Sequence, residues 1–263
     1  MFNAKEAVDN IIADMHEKNP TGKAIIGISG GKDSTTVAYL AVKAYGKENV
    51  IGVMMPNGEQ KDIVDSKRVC ELLGIQNITV NIKPIYDAMM EQIDTSSIKN
   101  SPNDWTTTFT TNTPARIRMT VLYGIAAQIG GRVLNTCNRS EDVLGYSTLF
   151  GDSAGSYGPL CDYTVTEVRQ IGLYLGAPKE LVLKAPNDGM CGSTDEENLS
   201  YILKIPNFTY ERLDKLIRRE EYDFTIAEIE SIRNHYNKMK FKLEIIHMPH
   251  PESGLQDYFK ELD

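Results

Sequence analysis

Apolar residues recur along this chain in two alternating rhythms. Residues 3–18 place Ala7, Ile11, Ile12 and Met15 on one helical face, and Asn19-Pro20-Thr21-Gly22 ends that helix. A short apolar run from Lys23 to Ile28 predicts a strand, followed by a helix to about Tyr45. Val50 to Met55 predicts a second strand closed by the turn Pro56-Asn57-Gly58. Glu59 to Leu73 reads as a helix stopping at Gly74, and Ile78 to Ile82 as a third strand. A helix starts near Pro84 and fades after Ile93. Residues 95–111 are Ser-, Thr-, Asn- and Pro-rich without periodicity and read as a loop or interface segment, in which Trp105 is expected to pack.

Helical spacing returns from Thr113 through Ile117, Val121, Ile125 and Ile129, and Gly130-Gly131 ends it. Arg132 to Asn135 is a fourth strand, and polar, glycine-rich sequence follows to about Pro159. Thr164 to Leu175 is helical, Pro186 to Asn198 reads as a loop, and two or three helices complete the C-terminal part before an end frayed at Pro249-His250-Pro251. Strands alternating with helices imply right-handed crossovers. The expected fold is α/β: one Rossmann-like domain with a doubly wound parallel sheet, flanking helices and a helical C-terminal extension. Ligands of such a sheet bind at the carboxyl ends of its strands.

Composition narrows the function classes. With 263 residues and 41% hydrophobic content, the chain can bury a sizeable core. A formal net charge of -8 argues against broad binding to nucleic acid or anionic membrane. No run approaches the ~18 apolar residues of a membrane span, and the N-terminal residues lack a signal-peptide core. A cytoplasmic protein is expected. Cys70, Cys137, Cys161 and Cys191 form no metal-type spacing and read as reduced thiols.

The chemistry centres on Gly27-Ile28-Ser29-Gly30-Gly31-Lys32-Asp33-Ser34, between the first strand and its helix. Paired glycines let backbone N–H groups approach an anion, the helix N-terminus favours negative charge, and Lys32 adds a cation. Asp33 would repel a phosphate unless a divalent cation lies between them. The spacing is neither Walker A nor the dinucleotide fingerprint, and a plain strand-to-helix turn capped by Asp33 or Ser34 is the other reading.

Three later stretches add to it. Arg116 and Arg118, in Pro114-Ala115-Arg116-Ile117-Arg118-Met119, are either solvated or a forked anion clamp. Asn135 to Asp142 follows the fourth strand; Glu141 is either a first-turn helix carboxylate or a second ligand for the cation of Asp33. Pro186 to Met190, with Thr194-Asp195-Glu196-Glu197, reads as a loop and a helix cap.

The loop resembles the S-G-G-x-D-S motif of PP-loop ATP pyrophosphatases (the adenine nucleotide α-hydrolase-like fold). Together with Ala115–Met119, Thr136–Glu141, Gly145-Tyr146, Gly151-Asp152, Pro159-Leu160, Thr164–Val168, Pro186–Met190 and Thr194–Glu196, in that order, the chain resembles ammonia-dependent NAD synthetases over nearly its whole length. The resemblance implies a single domain over residues 1–263 and an AMP-forming ligase. Such an enzyme activates deamido-NAD with ATP as an acyl-adenylate, then amidates it with ammonia.

By position, the resemblance assigns Gly27, Ile28, Ser29, Gly30, Gly31, Lys32, Asp33, Ser34, Thr136 and Asn187 to ATP, with Lys32 and Asp33 catalytic. Asp33 and Glu141 would hold Mg2+. Arg116, Tyr146, Asp152, His235 and Lys238 would contact deamido-NAD. The loops near 95–111 and 186–197 would order over the substrates. A homodimer is implied, and the chain is too short to carry a glutaminase, so free ammonia is the expected nitrogen donor. Departures from the family pattern fall at Leu149, Ser156, Val165 and Asn187, which leaves room for a different carboxylate substrate. The alternatives are another PP-loop amidotransferase and a nucleotide-binding sensor without turnover.

Overall fold

Alternate residues of the two central strands enter opposite cores, and this sets the layers. In β1 (Ala24–Gly27), Ala24 and Ile26 pack into one cluster and Ile25 into another. In β2 (Val50–Met54), Val50 and Met54 join the first cluster, and Val53 the second. This is the period-two alternation of a sheet covered on both faces. The computed structural model describes residues 2–59, 63–93, 105–184 and 194–243.

The sheet has four parallel strands in the order β3-β2-β1-β4, with β3 at Gln76–Thr79 and β4 at Arg132–Val133. The chain moves outward from β1 to β3 through α2 (Lys32–Tyr45) and α3 (Ile63–Leu73). It then returns to the other side of β1 through α4 (Lys83–Gln92) and α5 (Thr107–Ile129). Residues of α2 and α3 contribute to the first cluster, with α1 (Ala4–Lys18) and α7 (Val165–Tyr174); residues of α4 and α5 pack into the second. The reversal of direction between β1 and β4 opens the crevice where ligands of such sheets bind.

Beyond β4 the chain forms α6 (Arg139–Leu144), then returns along the sheet: Leu134 bridges Tyr157 in parallel. The Ser156 N–H donates to the Val133 carbonyl at 2.8 Å, and the Asn135 N–H to the Tyr157 carbonyl at 2.8 Å. After α7 and the short α8 (Lys179–Val182), helices α9 (Asp195–Leu203), α10 (Tyr210–Arg218) and α11 (Ile226–Met239) form the expected helical extension. They pack with α6 around Leu144, Leu199, Phe208, Tyr210 and Leu213.

Several boundaries differ from the sequence expectation. β3 lies two residues early, because it is a polar edge strand exposed throughout and the apolar run marks its end instead. The segment expected to be a loop to residue 111 is helical from Thr107, where the Thr106 hydroxyl accepts from the Phe109 N–H, and Pro114 sits inside the helix. Trp105 packs, stacked on Phe109 with ring centroids 4.2 Å apart. Asp195 to Asn198 belong to α9, capped by Thr194. Cys70 and Cys137 are buried free thiols and Cys161 an exposed one. Cys191 and the expected fray at 249–251 lie outside the described residues, as do residues 95–104 and 186–193 of the two expected covering loops.

Candidate nucleotide site at the strand ends

Gly30 sets the shape of the loop after β1. Its φ is +79°, and a Cβ there would lie 2.7 Å from the Asp65 Cβ and 2.9 Å from the Ser66 backbone nitrogen. Only glycine fits both the conformation and the approach of α3. Ser34 closes the loop from the helix side: its Oγ accepts from the Ser29 N–H at 3.2 Å and lies 3.0 Å from the Ser29 Oγ. The Gly31 N–H donates to the Ser29 Oγ at 3.2 Å. Gly31 is the N-cap of α2, and no side chain caps that helix. The amides of its first turn thus have no side-chain cap, the arrangement that suits an anion.

Lys32 does not extend into solvent. Its side chain is 3% exposed, and its Nζ lies 2.7 Å from Asp33 Oδ2 and 3.7 Å from Glu141 Oε1. It also lies 5.8 Å from the centre of the Tyr210 ring. Burial opposes the ammonium charge, but the carboxylates of Asp33, Glu141 and Asp195 outweigh it and hold the Lys32 pKa above its usual value. With both carboxylates ionised, the cluster around the single ammonium is net negative. Burial, then the charge of Asp33, pushes Glu141 up to about 8, against the opposing pull of Lys32 and the Asn138 amide.

Asn138 joins the two carboxylates. It is fully buried at the N-cap of α6, where its Oδ1 accepts from the Ser140 and Glu141 N–H groups, each at 3.1 Å. Its Nδ2 donates to Asp33 Oδ1 at 3.0 Å, and its backbone N–H donates to Glu141 Oε2 at 3.2 Å. Ser140, on the same turn, ties the site to the helical extension. The Ser140 hydroxyl donates to Asp214 Oδ1 at 2.5 Å and accepts from the Val165 N–H at 3.1 Å, while Asp214 Oδ2 accepts from the Thr166 N–H at 2.8 Å.

Of the predicted ATP residues, Gly27 to Ser34 and Thr136 are gathered at the ends of β1 and β4; Asn187 lies outside the described residues. The predicted substrate residues divide. Arg116 is exposed on α5, and its Nε donates to the Leu149 carbonyl at 3.2 Å; nearby, the Thr148 N–H donates to Asp152 Oδ1 at 2.8 Å. Arg118 turns away from the solvated reading: its Nε donates to the Met55 carbonyl at 3.0 Å, and burial lowers its pKa. Tyr146 packs on the extension, with its hydroxyl 3.4 Å from Asn198 Nδ2.

His235 lies against the end of α6, its Nε2 2.9 Å from the Leu144 carbonyl. Lys238 is exposed on α11. The lysine that turns inward is Lys242, whose Nζ donates to the Gly145 and Ser147 carbonyls, each at 2.7 Å. It lines a cavity of about 230 Å3 with Asn135, Asp142, Ser153 and Cys161. Sequence reasoning missed Lys242 because a short 3-10 turn, Lys240–Leu243, follows α11 and breaks the helical spacing. It also missed Tyr210, fully buried beside Lys32 with a hydroxyl lacking a hydrogen-bond partner among the described residues. No local motif marked Tyr210.

No group of three or more His, Cys, Asp or Glu among the described residues is arranged to hold a metal alone. No helix among them is long and apolar enough to cross a membrane.

A family model described as NAD synthase matches residues 4–246. An NH(3)-dependent NAD(+) synthetase of Pyrococcus furiosus is 38% identical over 240 residues, spanning 90% of this chain and 90% of that protein. Its counterpart in Thermococcus kodakarensis is 40% identical over 217 residues, spanning 82% and 80%. Among solved structures, an NMN synthetase from Francisella tularensis overlaps with a TM-score of 0.81 at 29% identity, covering 95% of this chain and 99% of that one. An NH3-dependent NAD synthetase from Campylobacter jejuni, in complex with nitrate, overlaps at 0.73 with 25% identity, covering 95% and 100%.

Proposed function

The chain belongs to the NAD synthase family, and we propose that it converts deamido-NAD to NAD with ATP and free ammonia, releasing AMP and pyrophosphate. The observation that carries the reading is the convergence of Asp33, from the end of β1, and Glu141, from beyond β4, on the buried Lys32 ammonium beside an uncapped helix N-terminus.

A nicotinate carboxylate is a poor acyl donor at neutral pH. One of its oxygens attacks the α-phosphorus of ATP, the bond to the β-phosphate oxygen breaks, and pyrophosphate leaves. Ammonia then attacks the acyl carbon, the bond to AMP breaks, and a proton is lost from nitrogen as the amide forms. Two anions must meet in the first step, so positioning and charge neutralisation dominate. The α2 amides, with Ser29 and Ser34, bind the departing pyrophosphate, and Lys32 holds its charge against the developing negative oxygens. Thr136 and Asn187 complete the ATP contacts. Arg116, Tyr146, Asp152 and His235 are the assigned contacts for the acid; Lys242 is a better candidate than the exposed Lys238.

Asp33 and Glu141 fit Mg2+ by the chemistry of the donor set. That ion is commonly held by one or two carboxylates, with substrate phosphates and water completing its shell. When bound, it would neutralise polyphosphate charge and orient the reacting oxygens. Asp33 and Glu141 would offer one oxygen each from separate helix starts, and Lys32 offsets part of their charge.

A homodimer in the cytoplasm completes the reading. Support for association comes from the exposed apolar side chains of α5 and its neighbour: on α5, Tyr123 is 36% exposed. On the adjacent α4, Ile85 and Met89 are 45% and 43% exposed. A dimer mass by light scattering, reduced to a monomer by combined Ile85→Lys and Met89→Lys, is the expected outcome.

The name of the Francisella neighbour favours one second reading, nicotinate mononucleotide as the acid. The acyl chemistry is unchanged, and the adenylate half of the dinucleotide is not needed. Supplying ATP, Mg2+ and ammonium with each acid in competition, while following AMP and both amides, separates the two. Predominant NAD supports the first; predominant NMN supports the second. ATP binding without AMP formation from either acid would replace both with a non-catalytic role.

A further inference from the structure

We propose that Asn138 is a positioning residue that fixes the separation and orientation of the Asp33 and Glu141 carboxylates; this rests on the reading that those two residues share the cation of the nucleotide. Asp33 and Glu141 stand in the first turns of different helices, α2 after β1 and α6 after β4, and like charge drives them apart. Asn138 is the one side chain among the described residues seen to hydrogen-bond both helix starts: through Nδ2 to Asp33 Oδ1 at 3.0 Å, and through Oδ1 to the amides of Ser140 and Glu141. Its own N–H holds the second oxygen of Glu141. That leaves Asp33 Oδ2 and Glu141 Oε1 as the oxygens turned toward Lys32. Asn138 thus selects which oxygen of each carboxylate faces the shared positive charge, that of Asp33 through its side-chain amide and that of Glu141 through its backbone N–H. An aspartate at this position could not donate to Asp33, and a serine would cap α6 but end short of it.

A helix cap alone would have no need of the amide nitrogen, and this separates the two roles. Asn138→Ser keeps a hydroxyl acceptor for α6 and removes the bond to Asp33. Asn138→Thr does the same with more of the volume filled, in case the smaller side chain impairs folding. The measurement is Mn2+ binding to the full chain with a non-hydrolysable ATP analogue, by electron paramagnetic resonance, alongside thermal melting. The expected result is a melting temperature close to wild type and a Mn2+ dissociation constant raised by about 10–100-fold, as when an outer-shell partner of a metal ligand is lost. High Mg2+ should restore much of kcat. Wild-type Mn2+ affinity in folded Asn138→Ser or Asn138→Thr overturns the positioning role. Asp33→Asn is measured in parallel: if it also binds Mn2+ as tightly as wild type, the cation reading falls and the proposal with it. Loss in Asp33→Asn alone removes only the role of Asn138.

Discussion

Helices α6 and α7 begin with the same local device and use it for opposite ends. In α6, Asn138 caps and Glu141 at the third helical position reaches back to the cap amide; in α7, Thr164 and Glu167 do the same. Glu167 then finds a full partner. Its Oε1 accepts from Arg218 Nε at 2.7 Å, its Oε2 accepts from Arg218 Nη2 and the Thr164 N–H, and the fork pins α10 to α7. Glu141 shares a single ammonium, 3.7 Å away, with a second carboxylate. The first glutamate is satisfied by the fold. The second is left with unmet affinity for positive charge, which a metal-bound nucleotide can meet.

The comparison is tested most strongly at Glu141. Glu141→Gln should keep the cap and lower kcat/KM by roughly 10²-fold or more, with a melting temperature equal to or above wild type, since a buried like-charge contact is removed. Steady-state rates and a melting curve on the same sample check both. A fall in stability with normal turnover would reverse the contrast.

The next effect belongs to the tie between the two helices. Asp214→Ala leaves the Ser140 hydroxyl and the Thr166 N–H without their buried acceptor, and should cost about 3 kcal/mol in a urea unfolding curve. Glu167→Gln should keep the cap and lose the ion pair with the partly exposed Arg218, at a cost of about 1 kcal/mol. Turnover should change little, in contrast to Glu141→Gln.

The smallest effect concerns His235, packed where α6 ends. Burial depresses its pKa below the usual value, so the folded chain favours the neutral ring. Its contribution is therefore complete above the unfolded pKa, near 6.5, and is lost as pH falls through the lower folded value. Between about pH 7 and about pH 5.5, His235→Gln should lose less melting temperature than wild type. Equal losses would assign the acid sensitivity elsewhere.

The two central strands and the glycine loop were legible because each is specified locally: alternating apolar residues for β1 and β2, and a glycine turn between strand and helix. β3 was displaced because a polar edge strand lacks that alternation. The start of α5 was obscured by a threonine-rich first turn, with Thr106 as cap. At the site, Asp33 and Glu141 could be proposed as partners from the family resemblance and their places at strand ends. What sequence could not supply is the bond from Asn138 to Asp33, spanning 105 positions, or the meeting of Ser140 with Asp214 across 74. Those depend on the packing of separate elements. Lys238 was assigned with His235 as the nearest candidate for a pair that the family resemblance implies, whereas the turn after α11 brings Lys242 inward.

The return of residues 156–157 along β4 also bears on how copies of the chain can meet. β4 is the last named strand on its side of the sheet, and a bare edge there would offer its amides and carbonyls to any strand that drifted near. The Val133 carbonyl and the Asn135 amide are instead already engaged by the chain's own backbone. Strand-to-strand recruitment, the usual route from a parallel sheet to aggregates, is blocked beside the nucleotide crevice. On this side of the sheet, contact with another copy falls to side-chain shape rather than to generic backbone pairing; the exposed polar edge at β3 lies on the other.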